Sequence, residues 1–113
     1  MKKAVYIAGP ITGCERYAEY FGAAAEAIRD AGHIPLNPAA LPKGLEYESY
    51  MDIGYAMLQC ADAIVMLPGW RESRGANREY GVALGQELNI IFAGECTTPN
   101  EIYNVLLIHM EDL

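Results

Sequence analysis

Short apolar runs alternate along the chain with segments in which apolar residues recur at every third or fourth position. The runs occupy residues 4–8, 33–36, 63–67 and 89–93, and glycine or proline follows closely after them. Brief apolar runs with such boundaries are typical of strands that are buried in a parallel sheet. The pattern therefore predicts four strands.

The segments between these runs have the periodicity of helices, in which one face is apolar. The spacing predicts a helix from Tyr17 to Ala31 with Gly32 as its stop, a second over 47–58, a third from Ser73 or Gly75 to about Leu88, and a fourth that begins with Pro99. Residues 37–46, which include two prolines, are predicted to form a loop that is polar enough to act as a lid.

Strict alternation of strand and helix predicts an α/β fold. We expect three layers, with a parallel sheet of four to five strands, right-handed crossovers and helices on both faces, as in flavodoxin-like or Rossmann-like proteins. Residues 1–113 fit a single domain. Sheets of this kind bind ligands beyond the carboxyl ends of their strands.

Composition narrows the classes of partner. A net charge of −7 argues against nucleic-acid polymers and anionic membranes, because both are recognised by clustered lysine and arginine. A small anion is still compatible with this charge, since Arg71, Arg74 and Arg78 cluster locally. A chain of 113 residues buries a modest core, which favours a homodimer or higher homo-oligomer.

Further features of the sequence bear on cofactors and on the cellular compartment. The three cysteines and two histidines have no metal-ligand spacing, so we expect no metal. No other cofactor is expected either, because a carboxylate and a leaving base suffice for the chemistry inferred below. No apolar stretch has the length of a signal peptide or a membrane span. A reduced, cytoplasmic protein is the resulting expectation.

Three loops follow strand carboxyl ends and are expected to form one site: residues 9–13, 68–75 and 94–98. Glu79 follows the second of them, early in the third helix, where the positive helix end would favour an ionised carboxylate and thus a nucleophile. A glutamate that only interacts with the helix dipole is the alternative. The first loop is rich in glycine but lacks a P-loop or dinucleotide motif, and a plain turn would also explain it.

Other candidates have structural alternatives as well. Ser73 is suited to cap the third helix or to bind a phosphate oxygen. Trp70 is suited to stack on a base or to anchor a loop, and Tyr6 to take part in catalysis or to fill the core. Asp62 precedes its strand and is therefore interpreted as structural.

Two motifs, Tyr6-Ile7-Ala8-Gly9-Pro10 and SRGANREYGVALG from Ser73, resemble the nucleoside 2-deoxyribosyltransferase superfamily. With Asp62 and Leu67-Pro68-Gly69-Trp70, the chain looks most like the DUF4406 branch. The resemblance implies an enzyme that cleaves or exchanges the N-glycosidic bond of a nucleoside or nucleotide, with Glu79 as the nucleophile and Tyr6 beside it. The implied substrate-binding residues are Gly9, Pro10, Ile11, Thr12, Gly13, Trp70, Ser73, Gly75 and Asn77.

The resemblance also bears on the substrate and on the partner. Related 2′-deoxynucleoside 5′-phosphate N-hydrolases have serine at the position of Ser73, whereas transferases of free nucleosides have an acid, so serine favours a 5′-phosphate. Amides of residues 11–13, expected at the start of the first helix, would complete the anion site. Related enzymes share their sites across a dimer, and Asn100, Tyr103 and Asn104 are the residues expected to contribute.

One position departs from the superfamily, which usually has an aspartate near the leaving base where this chain has Gly54. Asp52 is two residues away, which on a helix is a rotation of roughly 200°. Loss of this acid makes a non-catalytic nucleotide or ADP-ribose-type sensor the main alternative, and NAD glycohydrolysis is a further one. A phosphoacceptor domain would need an aspartate where the chain has Leu67-Pro68.

Overall fold

A parallel sheet of four strands forms the centre of the protein, in a computed structural model that describes residues 2–113. The strands are β1 (Ala4–Ala8), β2 (Ile34–Leu36), β3 (Ala63–Met66) and β4 (Asn89–Phe92). Their order in the sheet is β2-β1-β3-β4, and all neighbours run parallel. This is the strand order of flavodoxin-like folds, so the predicted fold class is confirmed.

Four helices cover the two faces of this sheet: α1 (Tyr17–Asp30), α2 (Tyr47–Gln59), α3 (Arg74–Gly85) and α4 (Pro99–Met110). Side chains alternate along β1, so Val5 and Ile7 pack with α1 and α4. Tyr6 and Ala8 pack with residues of α2 and α3 on the opposite face. The alternating side chains of β1 therefore contribute to the packing on both faces of the sheet.

The third helix ends at Gly85, three residues earlier than the sequence predicts. The amide of Leu88 donates to the carbonyl of Ala83, and the amide of Glu87 donates to that of Leu84. Glu87 adopts a left-handed backbone with φ of 57°. These bonds are the mark of a Schellman-type ending, which stops the helix although no glycine stands at the left-handed position.

The amino end of the sheet is fastened by side chains. Asp62 accepts a hydrogen bond from the amide of Ala4 at 2.8 Å, which confirms its structural role. His33 accepts from the amide of Lys3 at 3.0 Å, and its other ring nitrogen lies 3.3 Å from the carbonyl oxygen of Met110. These contacts tie β1 to β3 and to the end of α4, far from the carboxyl ends of the strands.

Residues 2–113 lack two features that would bear on function, a membrane-spanning helix and a cluster of metal ligands. None of the helices in this range has the length and hydropathy needed to cross a membrane. Nor does the same range contain three or more histidine, cysteine, aspartate or glutamate side chains grouped so that they could hold a metal ion.

Candidate active site

A cavity of about 270 Å³ opens at the carboxyl end of β1. It lies at the point where the chain crosses from one face of the sheet to the other, which is the usual ligand site in this fold. The loop after β1, the loop after β2 and the start of α3 surround it, and α2 forms one wall. Its lining includes Tyr6, Gly9, Ile11, Thr12, Lys43, Tyr47, Tyr50, Met51, Ser73, Gly75, Ala76 and Glu79.

Tyr6 and Glu79 form a direct pair at the bottom of this cavity. The Tyr6 hydroxyl donates a hydrogen bond to Oε2 of Glu79. Tyr6 comes from the central strand and has no exposed surface, whereas Glu79 lies in the second turn of α3 and is partly buried. The two residues that the sequence singles out as catalytic are thus in contact.

Burial governs the protonation of Glu79. It raises the pKa of the carboxyl from 4.5 to about 7, although the Tyr6 hydrogen bond and the charge of Arg78 both lower that pKa. The carboxyl is therefore only about half ionised near pH 7, whereas the sequence-based expectation is a carboxylate that the helix end keeps ionised. Glu79 lies beyond the first turn of α3, where the helix dipole is strongest, so removal from water has the larger effect.

Tyr6 keeps its proton throughout the physiological range. Burial raises the pKa of its hydroxyl, and the neighbouring charge and hydrogen bond of Glu79 raise it further. The single hydroxyl proton is already donated to Glu79. Tyr6 is accordingly suited to hold the carboxylate in place, and less suited to protonate a leaving group.

Gly54 lies directly against this pair. It is one of two buried residues of α2, and a Cβ atom built on it would be 2.9 Å from Oε2 of Glu79 and 2.9 Å from the Tyr6 hydroxyl. Asp52 is exposed, as expected from its rotation on the helix. No carboxylate from α2 therefore stands beside the Tyr6–Glu79 pair.

Ser73 both begins α3 and lines the cavity. Its hydroxyl oxygen accepts a hydrogen bond from the amide of Ala76 at 3.2 Å, so the capping role is confirmed. The hydroxyl hydrogen is free of that bond and can be donated to a ligand. Gly75 follows on the cavity wall, where an added Cβ would meet the end of Met51 at 3.1 Å.

The first loop reaches the cavity only in part. Gly9, Ile11 and Thr12 line it, whereas Pro10 and Gly13 do not. Gly9 permits a close approach of strands, because an added Cβ would lie 2.9 Å from Cβ of Leu67.

The predicted link between this loop and the first helix is wrong, since α1 begins only at Tyr17. Residues 11–13 form a turn in which the amide of Cys14 donates to the carbonyl of Ile11. The amides of Ile11, Thr12 and Gly13 donate to no backbone acceptor within residues 2–113. They are available to an anion as loop amides, without the dipole of a helix.

Trp70 and Asn77 are placed outside the cavity. Trp70 packs on Tyr80 and Phe92, with ring centroids 4.7 and 6.0 Å away, beside β4. The side-chain amide of Asn77 donates to the carbonyls of Trp70, Arg71 and Ser73 at 3.2, 2.9 and 2.8 Å. Trp70 thus anchors the loop before α3, and Asn77 holds that loop in shape, so their roles at the site are indirect.

The loop of residues 94–98 also lies away from the cavity, contrary to the prediction that three loops share one site. Strand β4 is separated from β1 by β3, a distance of about 10 Å across the sheet. The loop after β2 takes the expected place, because β2 is the other neighbour of β1.

Sequence reasoning missed the residues that form the outer wall of the cavity. Lys43 from the predicted lid and Tyr47, Tyr50 and Met51 from α2 all line it. The Tyr50 hydroxyl donates to the carbonyl of Pro42 at 2.6 Å and accepts from the amide of Leu45 at 3.2 Å, which ties the lid to the helix. The available signal is the pair of tyrosines in the first turn of α2, Tyr47 and Tyr50.

The predicted arginine cluster is divided among separate contacts. Arg71 lies over the ring of Trp70 at 4.9 Å, and Arg74 lies over that of Tyr47 at 5.0 Å. Arg78 contacts Glu48 at 3.5 Å on the surface. Lys43 and Glu79 are the only ordinarily charged side chains in the cavity lining of the described chain, so the site lacks the acidic surplus of the whole protein.

The sheet and its helices place the protein in the class of small flavodoxin-like α/β proteins, with a tyrosine-held carboxyl group where the chain crosses from one face of the sheet to the other. Within that class, residues 3–92 match the family model described as "Domain of unknown function (DUF4406)", and the chain belongs to this family. The match spans all four strands and α1 to α3, including Tyr6, Gly54 and Glu79. A search among curated proteins found no match to this sequence.

Proposed function

We propose that the protein cleaves the N-glycosidic bond of a nucleoside 5′-monophosphate or nucleoside through a covalent intermediate on Glu79. The observation that carries this proposal is the Tyr6–Glu79 hydrogen bond at the bottom of a cavity with aromatic walls. A nucleophilic carboxylate needs such a fixed position beside the reacting carbon, together with exclusion of bulk water. The resemblance to the nucleoside 2-deoxyribosyltransferase superfamily points to the same residue.

In the proposed reaction, a carboxylate oxygen of Glu79 attacks the anomeric carbon of the sugar. The carbon–nitrogen bond breaks, and its electron pair leaves with the base, which takes a proton from water. A water molecule then attacks the same carbon, loses a proton and releases the Glu79 carboxylate. If a second base attacks instead, the outcome is transfer rather than hydrolysis.

The size of the cavity favours a ligand no larger than a mononucleotide. Its volume of about 270 Å³ lies near the lower end of small-molecule sites, which span roughly 300–1,000 Å³. A dinucleotide such as NAD would extend far beyond it. The walls offer the rings of Tyr47 and Tyr50 to a base.

Ser73, the free amides of Ile11 and Thr12, and Lys43 are the groups that we assign to the 5′-phosphate. All three contribute to the lining, and each supplies hydrogen-bond donors. Glu79 is the one carboxyl in the lining, and its raised pKa reduces repulsion of an anion at neutral pH. An anionic ligand is thereby compatible with a protein of net charge −7.

Release of free base decides the catalytic proposal. Nucleosides, nucleoside 5′-monophosphates and NAD would be incubated with the protein and analysed by chromatography, beside Glu79→Ala and the exposed control Glu95→Gln. We expect release that Glu79→Ala abolishes and Glu95→Gln preserves. Full activity in Glu79→Ala would refute the assignment, and saturable binding with no release from any substrate would favour the sensor.

The phosphate assignment has its own test in Ser73→Asp, with Ser73→Asn as the matched control. Both replacements are good helix caps, so α3 should begin as before, but only aspartate repels a phosphate. Titration calorimetry should show that Ser73→Asp weakens binding of a nucleoside 5′-monophosphate much more than binding of the free nucleoside. Equal weakening of both ligands would reject the assignment.

A further inference from the structure

The middle of α2 touches the Tyr6–Glu79 pair through a residue that has no side chain. Gly54 is buried, and a Cβ atom at this position would lie 2.9 Å from Oε2 of Glu79 and 2.9 Å from the Tyr6 hydroxyl. Favourable contacts of carbon begin near 3.5 Å, so a methyl group could fit only if both oxygens moved away from it.

No other helical glycine among the described residues touches the pair, and Gly75 in the first turn of α3 meets only the flexible end of Met51, at 3.1 Å. A Cβ atom built on Gly22 in α1, or on Gly81 or Gly85 in α3, meets nothing within 4 Å. Glycine inside a helix is less stable than alanine, because it loses more backbone entropy on folding. Gly54 therefore occupies a position where local helix stability favours alanine and the contact with the pair forbids it.

We propose that Gly54 is a positioning residue, which lets the backbone of α2 press against Glu79 and Tyr6 and so holds the carboxyl group on the tyrosine and away from water. The consequence of this inference for catalysis rests on the proposed function. Its consequence for the position of Glu79 does not depend on that function. The backbone of α2 at Gly54 occupies the space that a second acidic side chain beside the pair would need.

The two oxygens differ in their freedom to move. Tyr6 lies on the central strand and is fully buried, so its hydroxyl can make only a small shift. Glu79 lines the cavity and can turn into it. A side chain at position 54 should accordingly displace Glu79 toward solvent.

That displacement has a defined electrostatic result. Burial is the main reason why the pKa of Glu79 rises from 4.5 to about 7, and it outweighs the lowering by Tyr6. A carboxyl group that turns into the cavity loses both the burial and the Tyr6 hydrogen bond. Because burial has the larger effect, its loss determines the direction in which the pKa changes. The pKa of Glu79 should fall in Gly54→Ala.

The experiment is a carboxyl ¹³C NMR titration of the full chain, with the Glu79 signal assigned by its absence in Glu79→Gln. Wild type, Gly54→Ala and the matched helix variant Gly81→Ala would be compared. We expect the midpoint for Glu79 to fall by about one pH unit or more in Gly54→Ala and to stay constant in Gly81→Ala. An unchanged midpoint in Gly54→Ala would overturn the proposal.

Melting temperatures keep the test valid if Gly54→Ala folds poorly. The same change would be made in a Tyr6→Phe/Glu79→Ala background, from which both contacting oxygens are absent. We expect Gly54→Ala to lower the melting temperature of wild type and to leave that of the background unchanged or raised, as in Gly81→Ala. Equal effects in both proteins, whether harmful or neutral, would contradict the proposal.

Base release separates this inference from the proposed function. If the protein is the proposed enzyme, kcat/KM of Gly54→Ala should fall at neutral pH and its pH profile should move to lower pH with the titration midpoint. If the titration moves but no protein releases base, the proposed function fails and the positioning role of Gly54 is retained.

Discussion

The two faces of the sheet are packed in different ways. The face covered by α1 and α4 buries a cluster of fifteen residues, all of them apolar. The face covered by α2 and α3 buries a cluster of eight, which includes Tyr6, and α2 contributes only Gly54 and Leu58 as buried residues. One face therefore supplies most of the stability, and the other has room for a cavity and a buried hydrogen-bonded pair.

The largest effect should come from the apolar face. Leu106 has no exposed surface, and Leu106→Ala should lower the free energy of unfolding by about 3 kcal/mol through lost burial and the cavity left behind. Urea denaturation measures this loss. Glu79-dependent base release should survive at a temperature where the variant is folded. A folded variant without that activity would show that the two faces are not separable.

The second effect should come from Glu79→Gln and depend on pH. The folded-state pKa of Glu79, about 7, lies above its ordinary 4.5, so the folded wild type binds more protons than the unfolded chain between these values and loses stability as pH rises. Glutamine does not titrate, so the variant does not lose stability in this way as pH rises. The variant should therefore be more stable than wild type by about 2–3 kcal/mol at pH 8, and by almost nothing near pH 4.5.

Thermal or urea denaturation at several pH values measures this difference. The exposed variant Glu95→Gln should show no comparable dependence on pH. A Glu79→Gln difference that is constant from pH 4.5 to 8 would contradict the raised pKa of Glu79.

A smaller effect is expected when the pair itself is broken by Tyr6→Phe. The Tyr6 hydrogen bond lowers the pKa of Glu79, so its removal should raise that pKa further and move the rise of base release to higher pH. The free energy of unfolding at pH 8 should fall by about 1–2 kcal/mol.

Tyr55→Phe is the control on the outer side of α2, because Tyr55 is 54% exposed. It removes a tyrosine hydroxyl that lies outside the cavity lining and should leave the pH profile in place. Equal shifts in both variants would mean that the profile does not report on Glu79.

The smallest effect should come from Glu87→Gly at the end of α3. Glu87 has a φ of 57°, a region that glycine adopts without strain. The variant should gain roughly 0.5–1 kcal/mol in urea denaturation, and kcat/KM should not change. A gain in stability with loss of activity would indicate that the site depends on a loosely held α3.

Much of the fold was predictable because it depends on local periodicity. The alternation of apolar runs with helical faces predicts all eight elements, and their boundaries differ from the structure by only a few residues. The early end of α3 was not predictable, since Glu87 stands where glycine is expected. The order of strands in the sheet is likewise absent from local patterns, so the loop of residues 94–98 was assigned to the wrong site.

The candidate site was predictable in its central residues and less so in their environment. Motifs identified Tyr6, Ser73 and Glu79, which the fold brings to one cavity. Protonation of Glu79 depends on a balance between burial and local charge, and a sequence does not reveal burial at one atom. The placement of Trp70 on β4 and of Lys43 in the lid also follows from tertiary packing alone.

Helix α3 carries two groups of the proposed site, the one that would bind the phosphate and the one that would react. Ser73 caps α3, and Glu79 follows six residues later, which is about 9 Å along the axis at 1.5 Å per residue. Movement of the lid or of the first loop cannot alter this spacing, because the helix is rigid. The helix therefore selects ligands in which the anionic end and the reacting carbon are separated by a matching distance.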